Sequence, residues 1–169
     1  MKASLPASKG NCFDSEDGRS AVMRFLEEFY HVYDSDDRRG LLDAYLDSSV
    51  MSLTVSPIEQ PSQSPAGLEA YLKDRRNLPQ SNYELGKLSQ KNGKKDIVSF
   101  LNTLPKTTHI GSSLVVDVSD ASSSSIVASV TGLFRERECA IVRSFQRVFD
   151  IVPLNGGFCI TNEQFHIDW

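Results

Sequence analysis

This sequence has no excess of basic charge, few cysteines and no long apolar runs. Its 18 Lys and Arg residues are outnumbered by 22 Asp and Glu, for a formal net charge of −4. Such a chain lacks the basic field that draws proteins to phosphate backbones, so direct nucleic-acid binding by this segment is not expected. The three cysteines, Cys12, Cys139 and Cys159, form no C-x-x-C pair. They predict reduced intracellular thiols rather than a zinc site or a disulfide framework.

No apolar run approaches the roughly 20 residues of a membrane span, and the N-terminus lacks the apolar stretch of a signal peptide. A nuclear or cytoplasmic location is therefore expected. The length of 169 residues and a hydrophobic content of 40% are typical of one globular domain. Residues 1–19 show no apolar periodicity and are expected to be a flexible linker, which leaves the folded domain over 20–169.

Helical spacing of apolar residues dominates the first two thirds of the chain. From residue 21 onward, apolar side chains recur every three or four positions and predict an amphipathic helix. Its apolar stripe contains Val22, Phe25, Leu26, Phe29, Tyr30 and Tyr33. Further helices are predicted after the turn at 34–37, over 67–74 and over 96–104, and a strand over 50–55.

Strand-like patterns dominate the last third. Runs of β-branched and aromatic residues separated by short polar turns predict an antiparallel meander. These runs cover residues 114–118, 126–134, 141–152 and 157–165. Helices followed by strands indicate the α+β class, with helices packed on one face of an antiparallel sheet.

The second face of this sheet is also partly apolar. Successive strand residues point to opposite faces, and in the strand over 141–152 apolar side chains occur at both parities. Two interpretations stay open from this pattern. Either the chain covers both faces of its own sheet, or one face is reserved for a partner.

Several ordered motifs resemble one known family, the nuclear transport factor 2-like domain of the TAP-type nuclear RNA export factors. The motifs are YDSDDRRGLLDAY (33–45), YLKDRRN (71–77), IVSFLNTLPKT (97–107), LVVDVS (114–119), VTGLFRE (130–136) and RSFQRVF (143–149). The resemblance extends over about residues 20–166. It implies a cone-like fold, in which a strongly curved antiparallel sheet packs against N-terminal helices. It also implies a heterodimer with the small nuclear transport factor 2-related export protein, bound through the outer face of the sheet.

The resemblance places the family's interface aspartate, which pairs with an arginine of the export cofactor, at Asp117 in LVVDVS. Breaking a buried ion pair costs about 3–5 kcal/mol, so this position is expected to matter for binding. Four residues of the long strand are predicted to join Asp117 at the interface. They are Arg143, Phe145, Arg147 and Phe149.

A second surface of the family binds phenylalanine-glycine repeats of nucleoporins in an apolar pocket. The resemblance maps this pocket to Gly18, Ala21, Pro153 and Phe158. The family has leucines at the two helix positions, where this chain has Gly18 and Ala21. Since a buried leucine is worth roughly 1.5–3 kcal/mol, nucleoporin binding is expected to be weakened.

The resemblance implies a nuclear protein that shuttles to the cytoplasm, with RNA bound only by other domains of a longer parent and with no membrane contact. The expected role is heterodimerisation in nuclear RNA export. Because the nucleoporin pocket is altered, a diverged paralogue that acts in nuclear RNA retention or in transposon or RNA silencing is the alternative.

Catalysis is the competing class, because the same cone fold hosts isomerases and dehydratases. The histidines His31, His109 and His166 are far apart in the sequence and show no pattern of metal ligands. No enzyme activity, cofactor or metal is expected. The basic pairs Arg38-Arg39, Arg75-Arg76 and Lys94-Lys95 are expected to be solvated rather than to bind RNA.

Overall fold

The computed structural model describes residues 16–56, 67–72, 90–121 and 124–168. Its helices are α1 (Glu16–Tyr33), α2 (Glu69–Leu72) and α3 (Lys94–Thr103), with 3-10 helices at Arg38–Ala44 and Gly111–Ser113. Its strands are β1 (Tyr45–Val55), β2 (Lys91–Asn92), β3 (Thr107–His109), β4 (Val115–Ala121), β5 (Ile126–Glu136), β6 (Val142–Leu154) and β7 (Gly157–Asp168).

The apolar stripe of α1 is buried, as its spacing predicts. Phe29 packs edge-on against Phe149 of β6, and Tyr30 lies against Phe145 of the same strand. The helix begins at Glu16, so residues 16–19 of the predicted linker are helical. Residues 1–15 lie outside the described part of the chain.

The strands form one mixed sheet in the order β2-β1-β7-β6-β5-β3, and β4 also pairs with β5. The predicted antiparallel succession of β4, β5, β6 and β7 is confirmed. The pairing of β1 is different, because β1 runs parallel to β7. The β6–β7 connection is a two-residue turn of Asn155 and Gly156, both with positive φ, a geometry that favours Asn-Gly.

We call the side of the sheet that faces α1 the inner face and the opposite side the outer face. The inner face holds the core, because inward residues of β1, β5, β6 and β7 are buried against the aromatic stripe of α1. The helix predicted after the turn at 34–37 is a 3-10 helix that ends at Ala44, and Tyr45 already belongs to β1.

Arg38 is a core residue, so the prediction that this basic pair is solvated is wrong for its first member. Its side chain is fully buried. It donates to the carbonyl oxygens of Tyr33 at 2.7 Å and Pro105 at 2.8 Å. Carbonyl groups beyond helix ends have no helical partner, and Arg38 satisfies them here. Arg39 is exposed and pairs with Asp37, while Arg75 and Arg76 lie outside the described residues.

Candidate functional site

Alternate residues of β6 point to opposite faces of the sheet, one buried and the other accessible to a partner. Inward side chains on this strand are almost inaccessible to solvent. Their exposed fractions are 2% for Arg143, 3% for Phe145, 0% for Arg147 and 0% for Phe149. The prediction that these four residues contact a partner through the outer face is therefore wrong. The outward positions of β6 include Val142, Ser144, Gln146, Val148 and Asp150.

Arg147 is held on the inner face by an ion pair. Its Nε lies 2.8 Å from Oε1 of Glu163, and both side chains are fully buried. The guanidinium also lies over the rings of Phe165 at 4.0 Å and Tyr33 at 4.3 Å. Tyr45 donates its hydroxyl proton to Glu163, and burial together with the Glu163 charge raises the pKa of Tyr45 well above 10.0. This cluster is fully buried in the core, where Glu163 compensates the charge of Arg147, so it is not available to a partner.

Arg143 is held in the same way near the β5–β6 turn. It forms a buried ion pair with Glu136, and its guanidinium lies 5.7 Å from the ring of Tyr71 on α2. A cation facing an apolar core is costly unless it is paired. The inward arginines of β6 therefore serve the stability of the fold.

Asp117 lies on the outer face. Its side chain is exposed, and its neighbours Val116 and Val118 point inward. In the strand register Asp117 is opposite Ser129, Ser129 is opposite Val148, Val148 is opposite Gln164, and Gln164 is opposite Ser52. We call these five residues the outer row. It crosses β4, β5, β6, β7 and β1 in one line.

The rest of the outer face mixes apolar and polar groups. Three large apolar side chains near its β4–β6 side are exposed: Val115 by 54%, Leu133 by 37% and Val142 by 44%. Val115 is next to Asp117 of the outer row on β4, whereas Thr131 separates Leu133 from that row on β5. A mixed composition is typical of non-obligate protein interfaces, whose total area is little more apolar than ordinary surface.

The residues of the predicted nucleoporin pocket lie near the start of α1 and the β6–β7 turn. Ala21 and Phe158 line one cavity of about 450 Å³. Pro153 is opposite Phe158 in the β6–β7 register but is exposed. Gly18 lies on α1 one turn before Ala21. The ring centroids of Phe25 and Phe158 are 6.0 Å apart, and Phe25 closes one side of this cavity.

His109 lies on β3, and only 3% of its side chain is exposed. Its Nδ1 is 2.8 Å from Oδ1 of Asp34, and its backbone N–H donates to Oδ2 of Asp34 at 2.7 Å. Burial lowers the pKa of His109 below 6.5, although the hydrogen bond to Asp34 opposes this effect. For Asp34, burial acts to raise the pKa, but the hydrogen bonds from His109 and Thr107 outweigh it and lower the pKa below 3.8.

A cavity of about 770 Å³ lies beside His109, between α1 and the β3–β4 region. His31 and His109 both line it, but the Nε2 atom of His109 is buried and has no hydrogen-bond partner. A general base must come within hydrogen-bond reach of the proton that it removes. A buried Nε2 does not meet this condition, so His109 fits a structural role.

His166 lies on the outer face, where its Nδ1 is 2.7 Å from Oγ1 of Thr54. Within the described ranges, no group of three or more His, Cys, Asp or Glu side chains is arranged to hold a metal ion. In the same part of the chain, no helix combines the length and apolar character of a membrane span.

Comparison with known proteins identifies related sequences and folds. A family model described as nuclear RNA export factor, NTF2 domain, matches residues 21–168. Nuclear RNA export factor 3 of Homo sapiens is 37% identical over 169 residues, covering 96% of this chain and 32% of that protein. Nuclear RNA export factor 1 of Drosophila melanogaster is 36% identical over 163 residues, covering 89% of this chain and 24% of that protein. The chain thus spans about a third or less of each relative.

A chain of the crystal structure of the C. albicans Mtr2-Mex67 M domain complex has a similar fold. The TM-score is 0.75 at 21% identity, over 89% of this chain and 94% of that chain. This likeness confirms the fold that the motifs predict, in which helices pack on a large and mostly antiparallel sheet.

Proposed function

Because the chain belongs to the nuclear RNA export factor family, as its NTF2 domain, we propose that it is a non-catalytic heterodimerisation domain. Its partner is the small nuclear transport factor 2-related export protein, bound through the outer face. The observation that supports this proposal most directly is the exposure of Val115, Leu133 and Val142 on one side of a sheet whose other side is packed. Exposed apolar groups that cluster on one face are typical of protein-binding surfaces.

Asp117 supplies the specific contact in this proposal. It is an exposed carboxylate in the outer row, beside Val115 on the same strand and face. A partner that covers these valine and leucine side chains also covers Asp117. A desolvated carboxylate needs a cationic partner, and an arginine meets its two oxygens with matching geometry.

The test is co-expression of this chain with the nuclear transport factor 2-related export protein of its source organism. Size-exclusion chromatography with light scattering should show one complex with the mass of one copy of each chain. Leu133→Arg places a charge among the exposed apolar groups and should abolish the complex. Lys95→Glu, on the exposed side of α3, is the matched control and should leave it intact. Elution of the wild-type chains as separate species would overturn the proposal.

A second role is favoured by the cavity at Ala21 and Phe158. Ala21 leaves the α1 side of this cavity without the apolar volume that leucine supplies, so nucleoporin phenylalanine-glycine repeats bind weakly here. A parent protein with a working heterodimer face and a weak nucleoporin site suits nuclear RNA retention or RNA silencing as well as export. In either role the parent is nuclear and shuttles, and its RNA contacts lie in other domains.

Nucleoporin affinity discriminates between the two roles. Fluorescence anisotropy with a labelled phenylalanine-glycine peptide should give a dissociation constant well above the low-micromolar range for the heterodimer. Low-micromolar or tighter binding would remove the retention alternative and leave bulk export.

A further inference from the structure

We propose that the outer face contains a socket for a basic side chain of the bound partner, separate from the contact at Asp117. The socket is a cavity of about 280 Å³. Its outward-pointing walls are Ser52 and Thr54 of β1, Gln146 and Val148 of β6, and Gln164 and His166 of β7. The inference rests on the heterodimer proposed above and specifies which chemistry the partner brings to the centre of the sheet.

The socket is continuous with the proposed interface. Three of its walls, Ser52, Val148 and Gln164, belong to the outer row that begins at Asp117. Neighbouring strands are spaced by about 4.8 Å, so Val148, two strands from Asp117, lies roughly 10 Å from it. A folded partner that reaches Asp117 therefore also covers the socket.

The walls suit a long side chain with an apolar stem and a hydrogen-bonding head. Val148 is half-buried and provides an apolar surface for methylene groups. Gln146 and Gln164 are exposed amides whose carbonyl oxygens can accept hydrogen bonds. A purely apolar occupant would bury these amides without partners, which costs free energy for each unpaired group.

The charges around the socket select a cation. On β6, the next outward residue after Val148 is Asp150. On β7, the next outward residue after His166 is Asp168. A carboxylate therefore lies at each end of the socket. No outward-pointing residue is Lys or Arg in the described parts of the three strands around the socket, which are Val50–Val55, Val142–Val152 and Asn162–Asp168. Arg147 points to the inner face, where Glu163 neutralises it. An acidic occupant would face two like charges, whereas a basic one faces opposite charges.

The test is a pair of charge substitutions at exposed Gln164 in the heterodimer. Gln164→Lys places a cation at the socket and should weaken binding at least about tenfold, because like charges across an interface repel. Gln164→Glu should bind as tightly as the wild type or more tightly. Isothermal titration calorimetry at low and high salt measures both, and thermal unfolding of each variant confirms an intact fold.

Thr131→Lys and Thr131→Glu are the matched controls, because Thr131 is on the same face but outside the socket. A smaller difference between the two Thr131 variants than between the two Gln164 variants supports the socket. Equal differences at the two positions would mean that a general acidic field, and not a socket, attracts the partner. Tighter binding by Gln164→Lys would overturn the proposal. If the wild-type chain forms no heterodimer, the proposed function and the socket both fail.

Discussion

Arg147 of β6 and Glu163 of β7 form a diagonal ion pair between neighbouring strands, with Nε and Oε1 2.8 Å apart and neither side chain reached by solvent. The pair lies beneath Gln146 and Val148, on the opposite face of the sheet from the proposed partner. The family motif RSFQRVF therefore alternates between core residues and surface residues, and its arginines belong to the core.

Removing one member of this ion pair should destabilise the fold. Arg147→Met leaves Glu163 as a buried uncompensated charge, and the free energy of unfolding should fall by about 3–5 kcal/mol. The double variant Arg147→Met with Glu163→Leu should recover most of this loss, because no charge stays buried. Urea denaturation measures both. Arg135→Met, at an exposed arginine of β5, is the control and should change stability little. A loss of less than 1 kcal/mol in Arg147→Met would contradict the importance of the pair.

Asp117→Arg should disrupt the heterodimer without unfolding the domain. The exposed aspartate contributes little to the isolated fold, but reversal of its charge opposes the cationic group expected on the partner. Truncating one partner of a desolvated charge pair costs about 2–5 kcal/mol of binding free energy, and reversal should cost at least as much. Calorimetric titration gives the affinity. Asp96→Arg, on the exposed side of α3, should bind normally.

Stability should fall on mild acidification because of His109. Its pKa in the folded protein lies below 6.5, so the unfolded chain takes up a proton that the folded chain refuses. The contribution of His109 is fully present above pH 6.5 and is lost as the pH falls toward its folded pKa. Asp34 adds a further loss below its usual pKa of 3.8, because its folded pKa is lower still.

His109→Gln keeps a donor for Asp34 but does not titrate. Denaturation curves between pH 7.5 and pH 5 should show a steeper loss of stability in the wild type than in this variant. His31→Gln, at an exposed residue of α1, should follow the wild type. Parallel profiles for the wild type and His109→Gln would show that His109 does not carry the effect.

Leucines at the two helix positions should restore nucleoporin binding. In the double variant, Ala21→Leu adds apolar surface to the cavity shared by Ala21 and Phe158, and Gly18→Leu adds a second leucine one helical turn earlier on α1. Each buried leucine is worth roughly 1.5–3 kcal/mol, so affinity for a phenylalanine-glycine peptide should rise more than about tenfold. Arg19→Leu adds a leucine on another side of the helix and should have no such effect. Unchanged affinity in the double variant would show that this cavity does not bind the repeats.

Much of the fold follows from local patterns. The stripe from Val22 to Tyr33 defines α1, and the β-branched runs locate β4 to β7, because these elements bury one periodic face. The start of β1 at Tyr45 is less visible. Its partner in the sheet is β7, far along the sequence, and a 3-10 turn instead of an α-helix precedes it.

The candidate site was harder to predict than the fold. Asp117 was placed on the outer face by its motif, and the structure exposes it there. The prediction that Arg143 and Arg147 share this face is wrong, because both side chains are buried on the inner face. Their carboxylate partners, Glu136 and Glu163, share the inward parity of β5 and β7, but only the register of the sheet brings each pair together. Sequence spacing alone does not encode that register.

The parallel pairing of β1 with β7 sets an order in which the sheet can be completed. Tyr45 of β1 is opposite Ile160, so β1 and its neighbour β2 join β6 and β5 only through β7. During synthesis, β1 can pair with β2, but its other neighbour, β7, becomes available only after nearly the whole domain has been made. Non-local pairings of this kind slow folding and leave strand edges open meanwhile. A nascent chain that stops before Gly157 would hold two separate strand groups and be a natural client for chaperones.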